Sequence, residues 1–154
     1  MKAEIVNSFI SAALKVVNSF SSNPFSVGRP FVRQSTYATN EIIIILGITG
    51  EIKGQACFSM SNDLAKSIAS AMMMGMPVME IDDMAKSALS ELGNMIMGNS
   101  ATLLFNNGIK TDITPPSLLT GTAMEVSSAD METICVPLNS GVGTIEFDIG
   151  IKTN

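Results

Sequence analysis

Apolar side chains recur at helical spacing from the start of the chain. Ile5, Val6, Phe9, Ala13, Val16, Val17 and Phe20 share one face over residues 3–20. Ser21-Ser22-Asn23-Pro24 ends that helix, and residues 31–38 are mixed and extended. Residues 41–48 are β-branched and almost wholly apolar, the pattern of a strand covered on both faces. Thr49-Gly50-Glu51 supplies a turn and 52–59 the next strand, so the two read as a hairpin. Ser61-Asn62-Asp63 opens a helix over about 64–74, stopped by Gly75 ahead of Pro77. Asp82-Asp83 opens a longer helix, its acidic residues well placed in the first turn, that ends at Asn106-Asn107-Gly108. Residues 111–117 are extended, because a residue preceding proline avoids the helical region. Strands at 133–138 and 144–152 flank the turn Asn139-Ser140-Gly141. In the last strand Ile145, Phe147, Ile149 and Ile151 alternate with Glu146, Asp148 and Gly150, which predicts one dry face and one wet.

The order is helix, strands, two helices, strands. Strands cluster instead of alternating singly with helices, so the fold class is α+β: a largely antiparallel sheet with long helices packed on it. A helix-then-strands pattern occurs twice, which points to pseudo-symmetry. At 154 residues, 1–154 reads as a single domain. Hydrophobic residues make up 46%, enough for a sizeable core, while only 15% are charged, which leaves neutral surface for an interface. The net charge is −5 and the nine Lys and Arg are scattered with no basic stripe, so no nucleic-acid partner is expected. The longest apolar run, 42–46, is strand-sized and far short of the roughly 20 residues of a membrane span. The first residues lack the pattern of a signal peptide. A cytoplasmic location, with no membrane partner, is the expectation.

Candidate chemistry is scarce. There is no histidine, and Cys57 and Cys135 are far apart, which removes the common zinc patterns and leaves two buried free thiols as the expectation. The exception is Glu91-Leu92-Gly93-Asn94 within the helical segment 90–101. Positions i and i+3 share a helix face, about 5–6 Å apart at Cβ, so Glu91 and Asn94 can address one partner. Ala88, Leu92, Met95, Ile96, Leu103 and Leu104 can supply the buried side of this helix, with Ser87, Glu91, Asn94, Gly98 and Ala101 on another. Gly93 and Gly98 each cost a helix interior about 1 kcal/mol relative to Ala. Close approach of another element, or of a partner's backbone, would offset that. A merely solvated polar face is the plain alternative for Glu91 and Asn94.

The run Glu91-Leu92-Gly93-Asn94-Met95, followed by Gly98-Asn99-Ser100-Ala101, resembles the signature helix of the CheC/CheX/FliY phosphatases of bacterial chemotaxis, above all its CheX branch. Ala3-Glu4-Ile5-Val6-Asn7 resembles the start of that family's first helix. Leu46-Gly47-Ile48-Thr49-Gly50 resembles its central hairpin. Asp112-Ile113-Thr114-Pro115-Pro116, with Gly121 beyond, resembles the stretch after the signature helix. The resemblance implies a CheC/CheX-like fold and an aspartyl-phosphate phosphatase whose partner is a phosphorylated CheY-type receiver domain. It further implies that Glu91 pairs with a receiver lysine and docks the two proteins, while Asn94 orients the attacking water. No cofactor of the chain's own is implied, Mg2+ being supplied by the receiver. A homodimer is implied too, for which an exposed edge such as 144–152 is a candidate. Two other readings stand beside it: a non-catalytic receiver-binding module that captures receivers with the same helix, and a structural or assembly protein such as a flagellar-switch accessory protein. Glu4 and Asn7 repeat the ExxN spacing. Ile5 and Val6 stand there in place of Leu-Gly, so a capped amphipathic helix is the expectation, not a second site. Asp112 reads as part of a rigid extended crossing. The methionines around Met72-Met73-Met74, Met76 and Met79 read as core packing, with an adaptable contact surface as the alternative.

Overall fold

Two long antiparallel hairpins meet at the centre of the molecule. The computed structural model describes residues 3–128 and 130–152. One hairpin is β4 (Ile42–Gly50) with β5 (Gly54–Met60); the other is β9 (Met131–Ser140) with β10 (Gly143–Lys152). β5 pairs β10 antiparallel, Phe58 facing Phe147. Among the described residues, three helices complete the main layers: α1 (Ala3–Phe20), α2 (Asn62–Met72) and α3 (Asp83–Asn106).

Short strands finish the sheet in a crossed pattern. β1 (Ser26–Val27) and β2 (Phe31–Val32) follow α1 yet pair with β9. β6 (Thr111–Ile113) and β7 (Ser117–Thr120) follow α3 yet pair with β4. β3 (Thr36–Ala38) and β8 (Glu125–Ser127) pair with each other as a separate ribbon. Each half, built of helix, short strands and a hairpin, thus lends two short strands to the other half's hairpin, while β3 and β8 join the halves directly. This is the pseudo-symmetry that the repeated pattern predicts.

The helix-facing side of the sheet is the main core. Ile42, Ile44, Leu46, Phe58, Phe147 and Ile149 are buried there with Phe9 of α1 and Leu92 and Ile96 of α3. Phe147 stacks on Phe58 with ring centroids 4.4 Å apart and meets Phe9 edge-on at 6.2 Å, which locks α1 onto the β5–β10 seam.

The structure corrects two expectations for residues 144–152. This strand is flanked by β9 and β5 and lies inside the sheet, so it is no edge. The edges are the short strands. Its polar face is not wet either: Asp148 is 1% exposed. The segment that carries β2 and β3 straps over that face, and Arg33 Nε donates to Asp148 Oδ1 at 3.0 Å while also pairing with Glu146. Arg33 lies 4.5 Å from the Tyr37 ring centroid and 5.0 Å from that of Phe31.

Candidate functional site

Helix α3 is fixed at both ends. Asp82 caps its start, its side chain accepting from the Ala85 N–H at 2.9 Å. Just past its end Gly108 takes φ +86°, a left-handed conformation that glycine adopts without steric cost. The buried side carries Ala85, Leu89, Leu92, Ile96, Met97, Ser100 and Leu104. Gly93 is buried too, and for a local reason: a Cβ there would lie 3.0 Å from Ile44 Cγ2 and 3.1 Å from Leu46 Cδ1 of β4.

The opposite side of α3 is an exposed stripe at alternating spacings of three and four: Met84, Ser87, Glu91, Asn94 and Gly98. Around Gly98 there is open space: beyond the adjoining backbone of its own helix, no atom lies within 4 Å of where a Cβ would sit. The two helix-interior glycines therefore have different explanations, internal packing for Gly93 and an open face for Gly98. Farther along, polar side chains are turned back on the helix. Asn99 Nδ2 donates to the Met95 carbonyl at 2.7 Å, Ser100 Oγ to Ile96 at 2.8 Å and Thr102 Oγ1 to Gly98 at 3.2 Å. Glu91 and Asn94 are engaged by no hydrogen bond or ion pair among the described residues. A carboxylate and a carboxamide are held side by side on a rigid helix, free to bond something outside the chain.

The other candidates lie elsewhere. Glu4 and Asn7 are exposed on α1, beside a shallow groove that Leu103, Asn106 and Asn107 of α3 also line. Asn107 Nδ2 donates to Ser8 Oγ at 3.4 Å, so the first turns of α1 lie against the far end of α3. Thirteen residues of helix, about 20 Å, separate that end from Asn94. The two ExxN pairs are not brought together. Asp112 is exposed in β6 opposite Thr49, part of the extended crossing. Met72 and Met73 pack against the core as expected. Met74, Met76 and Met79 do not: they project into solvent, Met74 being 97% and Met79 84% exposed.

The groups with shifted titration sit on the strap-covered face, away from α3. Cys57 and Cys135 flank Asp148 directly in register, both thiols buried and free. Burial, with the Asp148 charge next, pushes the Cys57 thiol up to about 12 and raises Cys135 similarly. Burial also raises the Asp148 carboxyl, against the opposing pull of the Arg33 guanidinium. This buried polar layer went unseen in the sequence because Arg33 and Asp148 are 115 residues apart.

The family model for the chemotaxis phosphatase CheX matches residues 42–139. The CheY-P phosphatase CheX of Thermotoga maritima is 34% identical over 128 residues, 83% of each chain. This chain belongs to the CheX chemotaxis phosphatase family. The CheX matched span runs from β4 into β9, so it holds all of α3 and none of α1. The CheX–CheY–BeF3–Mg2+ complex of Borrelia burgdorferi contains a chain of the same fold, with TM-score 0.83 and 28% identity, covering 96% of this chain and 97% of that one. CheX of Desulfovibrio desulfuricans shares the fold at TM-score 0.87 and 22% identity, over 97% and 99% of the two chains. Membership in the CheX family makes the α+β reading and the phosphatase class firm. Among the described residues no helix is long and apolar enough to cross a membrane.

Proposed function

We propose that this chain hydrolyses the phospho-aspartate of a CheY-type receiver and so ends its signal, with α3 as the inserted element. The observation that carries this reading is the unengaged pair Glu91 and Asn94 on an exposed stripe, beside the open space at Gly98. Relatives support it: one is named a CheY-P phosphatase, and another is seen with CheY, Mg2+ and BeF3, which stands in for the phosphoryl group.

The chemistry asks little of the phosphatase. Water attacks phosphorus, the bond to the aspartyl oxygen breaks, and inorganic phosphate leaves a free carboxylate behind. Catalysis of such a transfer is mainly positioning and electrostatics. The Asn94 amide can both donate to and accept from a water, and being neutral it does not repel phosphoryl oxygens as a carboxylate would. Glu91, one helical turn earlier, is suited to pair with a receiver lysine and fix the register of docking. The Mg2+ belongs to the receiver in this reading. The bare Gly98 position gives the receiver's loops room to approach the helix.

The protein is read as a homodimer of single domains acting in the cytoplasm, joined through an exposed edge of the main sheet, β1–β2 or β6–β7. The functional test is phosphate release from a phosphorylated CheY-type receiver with and without the protein. Acceleration at substoichiometric protein supports catalysis. Binding without acceleration would replace it with the capture-module reading, and binding that ignores phosphorylation would favour the switch-accessory reading.

A further inference from the structure

The exposed methionines of residues 73–82 and the start of α3 are not used by Glu91 and Asn94. Met76, Val78, Met79 and Met84 line one shallow cup, with Glu80 and Asp82 also on its wall. Met76, Met79 and Met84 are all exposed. The turn that presents them is held in an unfavourable backbone state, Met74 at φ +59° ahead of Gly75 at φ +90°. Burying a methionine side chain is worth roughly 1.5–3 kcal/mol. Leaving several in water forgoes that gain, so the cup is poorly explained by folding alone.

Its position ties it to the stripe. Met84 belongs to both, lying seven residues before Glu91 on the same helix face, about 10 Å along the axis. A standard interface of about 800 Å² per partner has a radius of about 16 Å. A globular domain centred on Glu91 and Asn94 therefore reaches Met84, which lines the cup. Methionine thioethers adapt to irregular apolar partners, and the acidic residues on the cup wall favour a cationic neighbour.

We propose that the cup is a second docking seat for the receiver, accepting an aliphatic or aromatic side chain flanked by Lys or Arg near the receiver's phosphorylation site. This inference rests on the receiver reading above. The seat adds affinity and takes no part in the bond-breaking step.

The test is the triple variant Met76→Gln/Met79→Gln/Met84→Gln, whose exposed positions and similar side-chain size preserve the fold. Phosphate release would be followed against receiver concentration, and affinity measured for a CheY-type receiver held with BeF3 and Mg2+. The expected result is a KM and a Kd raised about tenfold, the scale of losing hot-spot contacts, with kcat within a factor of two. Unchanged KM and Kd, in the presence of wild-type activity, would overturn the seat and leave the phosphatase reading intact. Loss of self-association in place of receiver affinity would also overturn it, making the cup a contact between copies. A wild-type protein that neither binds nor dephosphorylates the receiver would overturn both readings.

Discussion

Gly93 and Gly98 lie five residues apart on one helix and answer to different neighbours. Gly93 is pressed against Ile44 and Leu46, so Gly93→Leu is expected to overpack the core and destabilise the fold by about 1–3 kcal/mol. Gly98 faces open space, so Gly98→Leu removes a helix-interior glycine and should stabilise the fold by up to about 1 kcal/mol. The same change should abolish phosphatase activity by filling the receiver's path. Paired thermal melts and activity assays check both, and a Gly98→Leu protein with full activity would remove that face from docking. The thiols give a second residue-scale expectation. Cys57 is raised to about 12, so in the folded protein the thiolate appears only well above pH 9, whereas the unfolded thiol ionises near 8.5. Stability from this proton is complete below pH 8 and is lost as pH rises toward 12. At pH 8 a thiol reagent should leave both cysteines unmodified in the native protein and label both on unfolding. Glu91 and Asn94 were legible as a pair because spacing alone places i and i+3 together. That Gly98 faces outward and Gly93 inward was not legible, since both satisfy the same pattern.

At the level of elements, the long ones followed from their periodicity. α1 ends at Phe20 as its apolar spacing predicts, and Ser61 and Asp82 cap α2 and α3 through their side chains. Strands of two to four residues, such as β1, β7 and β8, are too short to show alternation and were not anticipated. The alternation of residues 144–152 misled for a physical reason. Glu146 and Asp148 mark a polar face, but the strap covers it and Arg33 pairs with both carboxylates. Arg33→Met would leave Asp148 buried without its partner, and a loss of about 3–5 kcal/mol is expected in denaturant titration. The double variant Arg33→Met/Asp148→Leu should recover most of that loss, because the uncompensated charge goes too. A single-variant loss near zero would mean the strap is held by its aromatic contacts instead.

The whole molecule is a pseudo-two-fold arrangement in which two short strands from each half cap the other half's hairpin. Antiparallel α+β topology was legible because strands clustered; the exchange of short strands was not, since nothing local encodes pairings as distant as Ser26 with Asn139 or Ile42 with Thr120. That exchange puts the free edges at β1–β2 and β6–β7, with Val27, Phe31, Val32 and Leu119 exposed along them. A dimer through either edge would sediment at about twice the chain mass at micromolar concentration. A charged substitution such as Val32→Lys or Leu119→Lys should return it to a monomer. Sedimentation of the wild type as a monomer would contradict the dimer without touching α3. In the proposed mechanism α3 separates docking from chemistry within one helical turn. Single-turnover dephosphorylation of a CheY-type receiver, run with the wild type, Asn94→Ala and Glu91→Ala, tests it most directly. Asn94→Ala should bind normally and lose about a hundredfold or more in the maximal rate, while Glu91→Ala should chiefly weaken binding. An Asn94→Ala protein that folds, binds and turns over at the wild-type rate would remove Asn94 from the chemistry.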